Sequence, residues 1–350
     1  MDKIRALDLF SGIGGFRQGL NDALGVSNIE WIGRSDIDKY ANKVYDSYFK
    51  TSNELLLNDI TDVTGNLSPK NFNNKKTISD ISSKIPDIDL LTAGFPCQAF
   101  SSLGKRQGFS DPRGTLFFAI YLLLKSKMPK NFILENVRGL LTIDNKNTIN
   151  TMKRLLKELG YNIEIFLLNA AEYGVPQNRR RVFIIGSTIP FNNKKHDFPK
   201  KTLKRKFKTS WHLLEKNVDD KYYLSEKIKK TILSEGSGGY RYKADYNLLI
   251  GRPLTYTMHK MHRASQDNYY SDSFINGKYD KVANKVIESN SGKNRIRRIT
   301  PSEALRFQGF NERFIKNALN TGLSDTRLYM LAGNSVPTTV IKSVGKWLYF

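Results

Sequence analysis

Ile4-Arg5-Ala6-Leu7-Asp8-Leu9-Phe10-Ser11-Gly12-Ile13-Gly14-Gly15-Phe16 is the stretch from which the fold follows. Ile4 to Phe10 is an apolar run of strand length, Ser11 to Gly15 is a glycine turn, and a helix begins near Phe16. Glycine has no Cβ and reaches positive φ cheaply, so a cofactor can come close to the backbone N–H groups of such a turn. The dinucleotide fingerprint is not met, because its third glycine falls on Arg17, and a pyrophosphate is not the obvious ligand. Outward from the turn the pattern repeats. A second strand, Glu30 to Gly33, runs into Arg34-Ser35-Asp36-Ile37-Asp38. A carboxylate about twenty residues beyond the glycines is placed to hold ribose hydroxyls. Asp36 is the first candidate and Asp38 the second, with helix capping before Lys39-Tyr40-Ala41 an equal reading of Asp38. Asp59 follows a third short apolar run and could meet an adenine amino group. Further strands at Asp89 to Ala93, Phe132 to Leu134, Asn162 to Leu168 and Val182 to Gly186 alternate with helices. An amphipathic helix is expected from Thr115 to Lys125 and another helix from Thr148 to Leu159. The class is α/β, an open doubly wound sheet with its sites at the carboxyl ends of the strands.

Gly94-Phe95-Pro96-Cys97-Gln98-Ala99-Phe100-Ser101 follows the fourth strand and holds the one cysteine of 350 residues. A free cysteine is commonly a buried apolar filler. Pro96, Gln98 and Ser101 give Cys97 a polar setting instead, which suits a nucleophile facing a crevice. The glycine-punctuated loop Ser102 to Gly114, with Lys105 and Arg106, suits a lid that closes over a phosphodiester backbone, although a plain surface loop reads the same way. Glu135 ends the next buried strand, so a doubly wound sheet would bring an acid beside the thiol. Arg179 and Arg181 alternate at the start of the Val182 strand and point to one side, to hold an anionic or carbonyl-bearing substrate or to cap surface carboxylates. The polar stretch Thr64 to Lys84 reads as a surface insertion.

Lys and Arg number 56 against 33 Asp and Glu, a formal net charge of +23 that implies a polyanionic partner. Between Ser187 and Thr300 there are 25 basic and 11 acidic residues, so +14 of the total lies in that third of the chain. Periodic α/β patterning stops near Ser187, and the following segment is basic, tyrosine-rich and irregular. Regular structure returns at Thr300-Pro301-Ser302-Glu303, a capping box. The expected division is 1–186, 187–292 and a return over 293–350. His259 and His262 stand three apart without further ligands, so no metal site is expected. The lone cysteine allows no internal disulfide, and no apolar run nears twenty residues. A cytoplasmic, nucleoid-associated chain with no membrane contact is expected.

In order along the chain, these motifs resemble those of the DNA (cytosine-5-)-methyltransferases of prokaryotic restriction-modification type. Asp8 to Phe16 is similar to the family's S-adenosylmethionine turn, Gly94 to Ser101 to its nucleophile motif, and Glu135-Asn136-Val137 to its acid motif. Gln177 with Arg179 and Arg181 resembles its Gln-x-Arg-x-Arg motif, and Thr300 to Phe310 and Gly333 to Val336 resemble its closing motifs. The resemblance implies a Rossmann-like, S-adenosylmethionine-dependent methyltransferase sheet domain with a smaller, irregular mixed target-recognition domain. It further implies methyl transfer to carbon 5 of a flipped-out cytosine in double-stranded DNA, through a covalent Cys97 adduct. Glu135 would hold N3 and the amino group, and Arg179 and Arg181 the O2 side and the loop. Phe10, Gly12, Ile13, Gly14, Asp36, Ile37, Asp59, Ile60, Leu116, Asn334, Ser335 and Val336 would line the cofactor. Many members carry glutamate and an aromatic where this chain has Asp36-Ile37. Ser101, Lys105, Arg106, Arg252 and Thr255 are the candidate DNA contacts, with Arg252-Pro253-Leu254-Thr255 a turn able to meet base edges. A monomer is expected, with any cognate restriction endonuclease acting separately. The rivals are a tRNA cytosine-5 methyltransferase, a catalytically dead DNA-binding regulator and a nicotinamide oxidoreductase. The large basic segment, the presence of Cys97 and Glu135, and the missing third glycine speak against them in turn.

Overall fold

The computed structural model describes residues 2–65, 75–95, 115–191, 198–201, 209–234, 236–237, 240–241, 245–260, 262–263, 265–290 and 295–350. The chain forms two compact units, a sheet unit of 1–168, 180–200 and 341–350 and a second unit of 169–179 and 201–340. In the sheet unit, β1 (Ile4–Leu9), α1 (Gly15–Leu24), β2 (Ile29–Ser35), α2 (Lys39–Tyr48) and β3 (Leu55–Leu57) come first. They are followed by α3 (Thr61–Thr64), α4 (Lys75–Lys84), β4 (Leu90–Gly94), α5 (Thr115–Lys127), β5 (Asn131–Val137), α6 (Asn147–Glu158), β6 (Asn162–Asn169) and β7 (Arg180–Ser187). The seven strands lie in the order β3-β2-β1-β4-β5-β7-β6. β1 pairs in parallel with both β2 and β4, and β5 pairs in parallel with β4 but antiparallel with β7. The chain therefore winds one way from β1 to β3 and the other way from β4, which leaves a crevice where β1 and β4 end.

Leu90 to Ala93 and Phe132 to Asn136 are buried without alternation, as expected of parallel strands covered on both faces. The α5 helix departs from the amphipathic expectation, since Phe117 to Leu124 are all buried. A helix that is apolar all round must be covered all round. The cover includes α4: its Ile81, with Ile85 just beyond it, joins the same core, Ser126 donates to the Ile78 carbonyl at 3.0 Å, and Lys127 Nζ donates to the Ser82 carbonyl at 2.8 Å. The expected surface insertion over Thr64 to Lys84 thus contains a core helix at its carboxyl end. The spacing of Ile78, Ile81 and Ile85 is that of one apolar helix face turned to the core.

The second unit contains α7 (Glu226–Leu233), β8 (Gly236–Ser237), β9 (Tyr240–Arg241), β10 (Tyr269–Ser271), α8 (Asp272–Ile275), β11 (Lys278–Asp280), β12 (Lys285–Ile287), β13 (Ile296–Arg298), α9 (Pro301–Phe307), α10 (Glu312–Leu319) and α11 (Asp325–Asn334). The strands form three antiparallel ribbons, β10 with β13, β11 with β12 and β8 with β9. Its centre includes a polar cluster. Arg297 and Glu303, both fully buried, pair at 2.7 Å, and Glu303 closes the expected capping box on Thr300. Glu215 accepts from Ser302, Thr300 and Arg306, which hold its carboxyl below the usual range against the opposing effect of burial. The second unit takes in 169–179 and 201–340, whereas the expected division closed the sheet segment at 186 and returned to it from 293. The return comes within α12 (Thr338–Tyr349), from Ile341 onward. Trp347 of that helix packs against Phe166 and Phe191 with ring centroids 5.1 and 5.2 Å away.

Candidate active site

The glycine turn sits where the topology leaves its crevice. Phe10 and Gly12 have φ of 52° and 54°, and Gly14 has 86°. Among the described residues a Cβ on Gly12 would meet nothing within 4 Å, so that face is open to a ligand. Gly14 is closed in: a Cβ there would lie 2.4 Å from the Phe49 ring. Asp36 fixes the turn from the end of β2. Its carboxylate accepts from the Gly12 N–H at 2.7 Å and the Asp38 N–H at 2.8 Å, leaving lone pairs on both oxygens. Burial pushes this carboxyl above the ordinary aspartate range, against the pull of those two donors. Ile37 beside it is 77% exposed, while Asp38 caps α2 through the Tyr40 and Ala41 N–H groups. Asp59 Oδ1 accepts from the Thr61 N–H at 2.8 Å. Ile13 and Ile60 are buried, so they offer backbone and support more than open surface, and Leu116 is partly buried against the same core.

Two buried oxygens beneath this turn have no hydrogen-bond partner among the described residues, Asp8 Oδ2 and Ser11 Oγ. Asp8 is fully buried, and Thr92 donates to its other oxygen at 2.6 Å. Burial raises its carboxyl to about 7, with the Thr92 bond and the Arg17 charge acting the other way. Arg17, at the position of the missing glycine, is clamped by Glu54 at 2.8 Å and lies over the Phe49 ring at 4.6 Å. Sequence reading passed over Asp8, although an acid inside an apolar strand run was the visible signal.

Glu135 lies within β5, in register with Gly94 of β4 and Phe183 of β7. It is 8% exposed and receives Arg181 Nε at 3.0 Å. Next to it, Asn136 Nδ2 donates to the Phe95 carbonyl at 3.2 Å. The chain thus leaves β4 beside the acid and its arginine, three residues before Cys97. Cys97, Ser101, Lys105 and Arg106 lie outside the described residues.

In the second unit, Arg179 has a different task from Arg181, contrary to the expectation that both point to one side. It is buried and donates to the carbonyls of Leu254 at 2.7 Å, Gly333 at 3.0 Å and Ser335 at 2.9 Å. The separation arises because β7 begins only at Arg180, so the strand alternation does not include Arg179. Gln177, also buried, bridges the Leu254 N–H and the Phe307 carbonyl. A Cβ on Gly333 would stand 2.4 Å from the Thr255 backbone, so the turn at Asn334, Ser335 and Val336 is pinned against that segment. Asn334 is exposed, and Ser335 and Val336 are buried. Arg252 donates to the Asp245 and Asp267 carbonyls at 2.9 and 3.2 Å, and Thr255 Oγ1 accepts from Arg263 at 3.1 Å. Both side chains thus have internal partners as well as any role toward DNA.

A family model described as C-5 cytosine-specific DNA methylase matches residues 4–349. The chain is 35% identical over 344 residues to the Type II methyltransferase M1.ScrFI of Lactococcus lactis subsp. cremoris, covering 98% of this chain and 77% of that protein. It is 36% identical over 347 residues to the Type II methyltransferase M.HaeII of Haemophilus aegyptius, covering 98% and 92%. The Entamoeba histolytica methyltransferase EhMeth has a similar fold, with a TM-score of 0.73, 21% identity and coverage of 100% and 98%. The S. pombe Dnmt2 methyltransferase gives 0.68, 18% identity and full coverage of both chains.

Proposed function

From the premise that this chain belongs to the C-5 cytosine-specific DNA methylase family and is a DNA cytosine-5 methyltransferase, we propose that it methylates carbon 5 of a flipped-out cytosine within one short duplex sequence. The observation that carries this reading is the Glu135–Arg181 pair beside the end of β4, where the chain runs on to Cys97. S-adenosylmethionine, when bound, supplies a methyl group on an electrophilic sulfonium. The open Gly12 face and the free lone pairs of Asp36 fit that cofactor, with ribose hydroxyls donating to Asp36. Asp59 would accept from the adenine amino group, and exposed Ile37 offers an apolar surface. Asn334, Ser335 and Val336 belong to the same proposed set.

Cys97 adds as a thiolate to carbon 6 of the base, which makes carbon 5 an enamine carbon able to take the methyl group. Glu135 meets the N3 and amino edge, donating its proton to N3 as carbon 6 takes up the thiolate and accepting from the amino group through its other oxygen, and Arg181 orients that carboxyl from 3.0 Å. Loss of the carbon 5 proton to a nearby base or water then expels Cys97 and restores the ring. Arg179 acts at one remove, through the backbone turn that it pins. The proposal includes double-stranded DNA as substrate, action as a monomer in the cytoplasm at the nucleoid, and a separate cognate restriction endonuclease. Among the described residues no helix is long and apolar enough to cross a membrane, and no cluster of metal-ligating side chains occurs.

The test is incubation with tritiated S-adenosylmethionine and unmethylated duplex DNA, followed by bisulfite mapping. Label in DNA at cytosines of one short context, abolished by Cys97→Ser, is the expected result. Label in tRNA alone would overturn the DNA reading, and full transfer by Cys97→Ser would overturn the covalent route.

A further inference from the structure

The β11–β12 hairpin of the second unit is built as a stiff, positively charged projection that the methyl-transfer reading leaves unused. Its strands pair Lys278 with Ile287, Tyr279 with Val286 and Asp280 with Lys285. At the base, Gly277 allows a close approach that a Cβ would block, 2.4 Å from the Ile287 carbonyl oxygen. Tyr279 anchors the ribbon by stacking on Trp211 at 6.1 Å and meeting the His212 ring at 4.8 Å. The turn is fixed as well: Asp280 Oδ1 accepts from the Val282 and Ala283 N–H groups at 2.8 and 3.0 Å. Asn284 sits in the left-handed region at φ 48°, with its side chain receiving the Tyr279 hydroxyl at 2.8 Å.

What this frame presents is unusual in combination. Val282 at the tip is 98% exposed and Ile287 is 53% exposed. Lys278, Lys281 and Lys285 are exposed, and Lys285 stands opposite Asp280 across the ribbon. One exposed valine is unremarkable alone. Held at the end of an ordered turn between exposed lysines, it gains a direction and an electrostatic setting. A two-stranded ribbon fits the major groove, lysines on both strands meet phosphates of its walls, and an apolar tip meets base edges such as the thymine methyl.

We propose that the β11–β12 hairpin enters the major groove of the duplex substrate, with Lys278, Lys281 and Lys285 on phosphates and Val282 against a base edge. This rests on the DNA methyltransferase reading above. Charge complementarity selects the occupant, since the ribbon carries three lysines and its one acid, Asp280, is engaged by the turn.

The test uses the full chain and a duplex carrying the mapped methylation site, with Kd measured over a salt series. Lys278→Ala/Lys281→Ala is compared with Lys153→Ala/Lys157→Ala, which removes the same charge from exposed positions of α6. The hairpin pair should weaken binding several-fold and lower the slope of log Kd against log salt by about 1 to 2, with Tm unchanged. The α6 pair should match the wild type. Val282→Ser should relax the methylated context at one position. Equal losses from both pairs, or wild-type Kd and salt slope in the hairpin pair with unchanged context in Val282→Ser, would overturn the proposal. If the wild-type protein methylates DNA in those same assays, only the hairpin assignment falls; if it labels no DNA, the functional reading falls first.

Discussion

Asp8 carries a carboxyl where water cannot reach it, and the consequence is a pH dependence with a definite sign. Burial raises its folded value to about 7 from the ordinary 3.8. Between those values the folded chain keeps a proton that the unfolded chain has lost, so this group's contribution to stability falls as pH rises through the window and is flat above it. Asp8→Asn should flatten that part of the Tm–pH profile and stabilise the protein above neutrality by up to about 4 kcal/mol. Thermal unfolding across the window checks it, and a parallel profile in the variant would refute the assignment. At this scale the legible signal was an acid at the close of an apolar run: Asp36 follows β2 and accepts from the Gly12 N–H, and Glu135 pairs with Arg181. Arg179 was not, because its partners are carbonyls 75 to 156 residues away and nothing in a Gln-x-Arg-x-Arg pattern encodes them.

Among the elements, strands were easiest to read, since buried parallel strands are near-continuous apolar runs. β5 was found by its Phe132 to Leu134 core, but its pairing with β7 carries it on to Val137 and places Glu135 inside the strand. The error over α5 and α4 is one error. A helix covered on both sides shows no polar stripe, and its cover was hidden in a stretch whose Asn, Ser and Lys content reads as surface. Ile81→Ala supplies the check: a core position predicts a loss of about 2 to 4 kcal/mol, whereas a surface position predicts a change within about 0.5. Denaturant unfolding separates these outcomes. The β11–β12 hairpin escaped notice for a related reason, because Lys278 to Lys285 has the composition of any solvated loop and only the bonds of its Asp280 and Asn284 side chains reveal an ordered turn.

For the whole molecule, the expected boundaries at 186 and 292 differ from the limits of the two units, since 180–200 belongs to the sheet unit, 169–179 to the second, and the second unit runs to Val340. That limit was illegible because the capping box at Thr300 announces a helix without saying what the helix packs against. Arg297→Met leaves Glu303 buried without its charge partner and should destabilise the protein by about 3 to 5 kcal/mol. A double variant, Arg297→Met with Glu303→Leu, should recover much of that loss, and no recovery in equilibrium unfolding would refute the pairing argument.

The passage of the chain out of the sheet unit and back into it also sets an order in time. A ribosome releases residues 1–168 and 180–200 long before Ile341 to Phe350, and all of 201–340 emerges in between. Until then the Phe166 and Phe191 rings lack Trp347, and part of the sheet's apolar surface stands open. The nascent sheet must wait, incomplete, for a contact more than 150 residues downstream, so synthesis itself delays a finished sheet unit until the other unit has been made.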